Sequence, residues 1–93
     1  MNEAEFREHL RARDCSRVGI VEWPPGRVSA EHAHEFTALG LILAGGFTLR
    51  TAAGERVLRP GDHFELAAGI PHVEDVGPEG VTILSGRIEP PPA

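Results

Sequence analysis

Turn-forming residues recur at short intervals along most of this chain, and they constrain its fold more than any other feature. Pro24-Pro25-Gly26, Gly45-Gly46, Ala52-Ala53-Gly54, Pro60-Gly61, Ala67-Ala68-Gly69, Gly77-Pro78-Glu79-Gly80 and Pro90-Pro91-Pro92 divide everything after Arg17 into short pieces. Those pieces are rich in Val, Ile, Leu and Thr, and several alternate apolar with polar residues, the signature of strands. "RVGIVEW" alternates loosely before the first turn, "TALGLILAG" and "FTLRT" read as a hairpin about Gly45-Gly46, and "ERVLR", "HFEL", "IPHVEDV" and "VTILSGRI" follow. Roughly seven or eight short strands at this spacing predict an all-β sandwich or barrel.

The amino terminus reads differently. Residues 1–14 predict a short helix, with Asn2 as its cap and Glu5 completing a capping box. Phe6, His9, Leu10 and Arg13 share one face, so Phe6 and Leu10 are expected to pack onto the rest of the fold, with His9 solvated. The organisation expected is one domain over residues 1–93, with the helix at 1–14, the barrel at 17–88 and a proline-rich tail at 89–93. A chain this short buries roughly 60–70% of its extended surface, so its stability margin is thin. Dimerisation or a bound metal would widen it.

A formal net charge of -5 and arginines that form no stripe argue against a nucleic-acid partner and against anionic lipid. The longest apolar segment, Ala38 to Gly46, is far short of the ~20 residues that span a bilayer, and the first residues do not resemble a signal peptide. Cys15, the single cysteine, fits a reducing compartment and is expected half-buried just after the helix, so the expected location is the cytoplasm.

His32, His34, His63 and His72 all fall in the strand region. Alternation puts His32 and His34 on one face, and His72 and Glu74 on another. If both faces line one cavity, three imidazoles and a carboxylate converge there, a donor set suited to a first-row transition metal. Buried imidazoles need polar partners, and a small apolar barrel offers few.

The segment "GRVSAEHAH" resembles the opening of the first cupin motif: a glycine, five residues, then His-X-His. "GDHFELAAGIPH", from Gly61, resembles the second motif and ends on His72, with Ala67, Gly69 and Val76 at the family's proline, glycine and asparagine positions. The resemblance spans Val18 to Ile88 and implies an all-β double-stranded β-helix, the cupin jelly-roll barrel, with a short N-terminal helix in front. It also implies metal ligation by His32, His34 and His72. The family's fourth ligand, a glutamate, falls here at Ala38, so the site is expected to be three histidines unless Glu74 restores a carboxylate as ligand or general base. One divalent transition-metal ion per chain (Fe, Zn, Mn or Ni) is the implied cofactor.

Phe36, Ala38 and Ile42 continue the inward phase of the histidines, while Leu39, Leu41 and Leu43 fall on the outer face, where the helix or a second subunit of a homodimer must cover them. Phe47, Leu49, Val57, Leu58 and Phe64 are expected in the core, with His63, Glu65 and Glu35 outside and Arg50, Arg56 and Arg59 on exposed hairpin faces. Trp23 is expected to pack over the barrel or a dimer surface, with a place at its mouth as the alternative. Arg87 shares a face with Val81 and Ile83 and is expected to be solvated, with contact to a substrate anion as the alternative. The function expected is a small-molecule metalloenzyme of dioxygenase or isomerase type; the alternative is a non-catalytic ligand-binding or sensor module with a structural metal. A chain without tyrosine excludes the cysteinyl-tyrosine form of thiol dioxygenase.

Overall fold

Helix α1 (Glu3–Ala12) forms because its first turn is closed from both sides. The Glu5 N–H donates to Asn2 Oδ1 at 2.8 Å, and the Asn2 N–H donates to a Glu5 carboxylate oxygen at 2.9 Å. The computed structural model describes residues 1–91, so residues 92–93 of the expected proline tail lie outside the described residues. Its strands are β1 (Ser16–Trp23), β2 (Thr37–Thr51), β3 (Gly54–Leu58), β4 (His63–Leu66) and β5 (Val73–Ile88). The result is a mostly-β antiparallel fold with one N-terminal helix, as the resemblance implies.

Every pairing is antiparallel. Strand β2 pairs with β5 from Thr37↔Ile88 to Arg50↔Val73, while its other edge pairs first with β4 and then with β3. The outer edge of β5 pairs with β1 from Ser16↔Arg87 to Trp23↔Val81. Beyond Trp23 the chain continues along β5 without regular pairing, held by isolated bridges at Val28↔Asp75 and His32↔His72.

Two expected reversals are absent. "TALGLILAG" and "FTLRT" are one strand of 15 residues, not a hairpin, and "HVEDV" and "VTILSGRI" run together through Gly77–Gly80 into β5. The register of β2 against β5 shifts between Ile42 and Ala44 and between Gly45 and Phe47, so the glycines sit in bulges that bend each strand around the barrel corner. Gly45 has φ +68°, and a Cβ there would lie 2.0 Å from the Gly80 carbonyl oxygen, so only glycine fits. The bulges also flip the pleat. Ala38 and Ile42 face inward before the corner of β2, Phe47 and Leu49 after it.

The alternation builds two apolar layers. The barrel interior holds Ile42, Phe47, Leu49, Phe64, Val76 and Ile83 among its buried residues. Outside it, α1 seats Phe6 and Leu10 over Leu39, Leu41 and Leu84, with Leu43 and Cys15 at the margin. The helix therefore does the covering that the row of leucines requires, and that row gives no case for a second subunit. Bidentate Arg13–Glu65 contacts of 2.6 and 2.9 Å tie the helix end to β4. Leu58 and Phe64 are buried as expected, but Val57 is 54% exposed, because β3 turns it to the outer face.

Candidate metal centre

The three expected histidines meet at one place. His32 and His34 lie in the irregular segment before β2, not in a strand, yet both rings reach His72, which immediately precedes β5. One ring nitrogen from each lies within 4.8 Å of the others. Ring centroids are 4.9 Å apart for His32 and His34, 4.3 Å for His32 and His72, and 5.1 Å for His34 and His72. The backbone explains the convergence: the His32 N–H donates to the His72 carbonyl at 3.0 Å and the His72 N–H donates back at 2.8 Å, making the two residues direct cross-chain neighbours.

Hydrogen bonds at the far side of two rings orient them. His32 Nδ1 lies 2.8 Å from the Ala30 carbonyl oxygen, and His72 Nδ1 lies 3.0 Å from that of Ile70. A carbonyl only accepts, so Nδ1 carries the proton in each neutral ring and Nε2 presents a lone pair to the cavity. His72 is 1% exposed, and its Nε2 is buried with no hydrogen-bond partner among the described residues. An unpartnered buried nitrogen is costly. A metal ion is the kind of partner this donor set fits.

Burial holds the His34 imidazole below its usual pKa, reinforced by the neighbouring His32 and His72 rings, opposed by Glu74 and aided by Arg87. The ring is therefore kept in the neutral, ligating form as pH falls toward the ordinary histidine range.

Glu74 is 8% exposed and faces two of the rings, its carboxylate oxygens 3.8 Å from His32 Nε2 and 3.7 Å from His72 Nε2. These separations are too long for hydrogen bonds. Oε1 faces His32 and Oε2 faces His72, so each carboxylate oxygen stands beside one imidazole nitrogen, and Glu74 would add an oxygen donor to a metal held by the three rings. Ser29 steadies the strand here: the Glu74 N–H donates to Ser29 Oγ at 2.9 Å, and the Ser29 N–H donates to the Glu74 carbonyl at 2.9 Å. Ala38 lines the same cavity and offers no donor. His63 and Glu65 lie outside the barrel, as expected.

The cavity has a volume of about 270 Å³. Its inner wall is apolar, from Phe47, Phe64, Leu66 and Ile83 among others. Trp23 stands at its edge, edge-on to Phe47 at 5.4 Å, with the Arg27 guanidinium over its ring at 5.0 Å. Two features of the wall were not expected. Arg27 reaches within 3.7 Å of Glu74, and Arg87 is half-buried on the wall, its Cζ 3.9 Å from the centre of the Phe36 ring. The expectation of a solvated Arg87 fails because residues 81, 83, 85 and 87 all point inward after the corner of β5, a phase that the shared face with Val81 and Ile83 already carried. A larger open depression of about 470 Å³ at the Gly45-Gly46 corner contains no imidazole.

The Cupin_2 family, described as a cupin domain, matches residues 19–85. The chain is a cupin. No curated protein matches it in sequence. Among solved structures, a Rhizobium leguminosarum protein of unknown function superposes with TM-score 0.73 at 15% identity, over 78% of this cupin and 69% of that chain. KdgF from a Halomonas species superposes with TM-score 0.62 at 25% identity, over 76% of this chain and 68% of that one. The DMSP lyase DddQ from Ruegeria pomeroyi superposes with TM-score 0.67 at 27% identity; 74% of this cupin is covered, but it spans only 36% of the lyase. No helix among the described residues is long and apolar enough to cross a membrane.

Proposed function

We propose that this cupin is a metal-dependent enzyme that moves a proton on a small molecule, in an isomerisation or elimination, with one divalent transition-metal ion held by His32, His34 and His72. The observation that carries the reading is the buried, unpartnered Nε2 of His72, set against two further imidazoles and a carboxylate. When bound, the ion supplies Lewis-acid polarisation of a substrate oxygen. The chain's own residues do the rest. The carbonyls of Ala30 and Ile70 hold two rings with Nε2 turned inward. Glu74 stands close enough to the same point to complete the donor set or to take a proton from a substrate carbon there. The apolar wall excludes water and strengthens every charge interaction inside. The likeness to a DMSP lyase at 27% identity supports an elimination or related proton transfer without naming a substrate.

The test begins with tag-free protein reconstituted separately with Fe(II), Zn(II), Mn(II) and Ni(II), and measures bound metal. Binding of one ion per chain, lost in His72→Ala, is expected; no stoichiometric metal with any of the four refutes the reading. Small carbonyl compounds are then incubated with the loaded protein in deuterated water, and exchange at carbon is followed by NMR. Glu74→Gln is expected to stop that exchange. A loaded protein with no exchange and no open coordination position supports the second reading, a ligand-binding module whose metal Glu74, buried beside two of the ring nitrogens, would close as fourth donor.

A further inference from the structure

Of the two arginines on the cavity wall, Arg27 lies beside Glu74, and Arg87 is the one that the site described above neither uses nor pairs with a carboxylate. Its guanidinium carbon sits over the Phe36 ring, 3.9 Å from the centroid, and Phe36 in turn stacks on His34 with ring centroids 4.6 Å apart and planes inclined by 16°. Guanidinium, phenyl and imidazole thus form a layered stack along one side of the cavity. Six of the nine arginines lie within ion-pair distance of a carboxylate: Arg7 of Glu3, Arg11 of Glu8, Arg13 of Glu65, Arg17 of Glu89, Arg27 of Glu74, and Arg50 of Glu55 and Asp75; of the remaining three, Arg56 and Arg59 are exposed and only Arg87 is half-buried. Arg87 has no carboxylate within ion-pair distance among the described residues, although it is half-buried in a chain of net charge -5. A half-buried cation without a counter-charge is costly unless something anionic visits it. A guanidinium fixed by stacking presents its N–H fork edge-on, the geometry that takes a carboxylate by two parallel hydrogen bonds. Ser85, two residues earlier on the same inward face, also lines the cavity and adds a hydroxyl. Arg27, over Trp23 on the same cavity wall, offsets the charge of Glu74 at 3.7 Å, so that carboxylate does not stand alone against an incoming anion. The cavity's volume of about 270 Å³ equals that of about nine liquid waters, so the occupant is metabolite-sized.

We infer that Arg87 is a carboxylate-binding residue and that the substrate class is a small organic acid, held by its carboxylate at Arg87 while its reacting part faces the three imidazoles. The assignment rests on the proposed metal site for the reacting end, but not for the anion contact itself. The closing experiment separates the two. Wild type, Arg87→Gln and Arg87→Lys are titrated with lactate and with its neutral analogue lactamide, zinc-free and zinc-loaded. Arginine side-chain Nε–H resonances report anion contact, and chelator competition reports zinc affinity. Lactate is expected to shift the Arg87 resonance in wild type in both zinc states, and lactamide is not. Arg87→Gln is expected to weaken lactate at least tenfold while zinc affinity stays within twofold, and Arg87→Lys to recover only part of the loss, because it keeps the charge but not the flat fork. Equal lactate affinity in Arg87→Gln and wild type, or equal shifts from lactamide, overturns the inference while leaving the metal reading intact. Absence of zinc binding overturns the metal reading instead, and the zinc-free titration still decides Arg87. If Arg87→Gln does not fold, the wild-type resonance decides it.

Discussion

Truncation of Phe6 to alanine tests whether the helix seals the outer layer independently of the metal centre. Phe6 is 0% exposed, and Leu39, Leu41 and Leu84 beneath it are no more than 1% exposed. Removing a fully buried phenyl ring costs about 3–5 kcal/mol, because the lost transfer energy adds to that of the space left behind. A domain of this length has a total stability of about 5–15 kcal/mol, so the variant stays folded but loses a large share of its margin. With a urea slope of about 1.3 kcal/mol per M, the unfolding midpoint is expected to fall by about 3 M. Phe6 lies on the far side of the sheet from His32, His34 and His72, so the zinc affinity of the folded variant is expected to stay within about twofold of wild type. Zinc at a hundred times its dissociation constant then returns about 2.7 kcal/mol by mass action and moves the midpoint most of the way back. A loss below about 1 kcal/mol would refute the sealing role. A loss of the expected size with a large fall in zinc affinity would refute the independence of the two layers.

Three further outcomes are expected. Gly45→Ala, which sets a Cβ 2.0 Å from the Gly80 oxygen at φ +68°, should destabilise by about 3 kcal/mol or more in urea unfolding, whereas Gly19→Ala, with open space around it and no positive φ, should lose much less. Ala38→Glu places a carboxylate at the position where the cupin motif carries one. It should tighten zinc binding at least tenfold and lower the melting temperature of the zinc-free chain, which then buries a charge without its ion. Acidification should destabilise the zinc-free chain. The folded pKa of His34 is lowered, so the unfolded chain takes up its proton first; the associated stability is present above about pH 6.5 and lost as pH falls through the folded value. Urea midpoints from pH 7.5 down to 5 should fall, and His34→Gln should flatten that slope.

The residues that were legible in the sequence are those whose placement depends only on local periodicity. The Asn2–Glu5 cap, the inward phase of Ala38 and Ile42, the outward leucines and the shared face of His72 and Glu74 all follow from spacing over a few residues. The His-X-His pair and His72 came together as the two cupin motifs implied, although the segment bearing the pair is not a strand. The corner glycines were misread for a physical reason. A positive-φ glycine serves a tight reversal and a bulge equally well, and only the partner strand decides which. Gly45 finds β5 beside it on both sides of the corner, so the chain bends and does not turn back. The environment of Arg87 depends on that same corner, because the bulge in β5 sets which way every later side chain points.

The run between Trp23 and Thr37 carries two of the imidazoles on an irregular border, while the third stands across it at the start of β5. That border is stitched at intervals: the Val76 N–H donates to the Arg27 carbonyl at 2.8 Å, Ser29 pairs with Glu74, and His32 pairs with His72. A cation shared by the three rings would therefore work as a clasp on a seam. Loosening the seam and separating the donors are one motion, so amide exchange along 27–34 should quicken as the residence time of the metal shortens, two readings of the same opening.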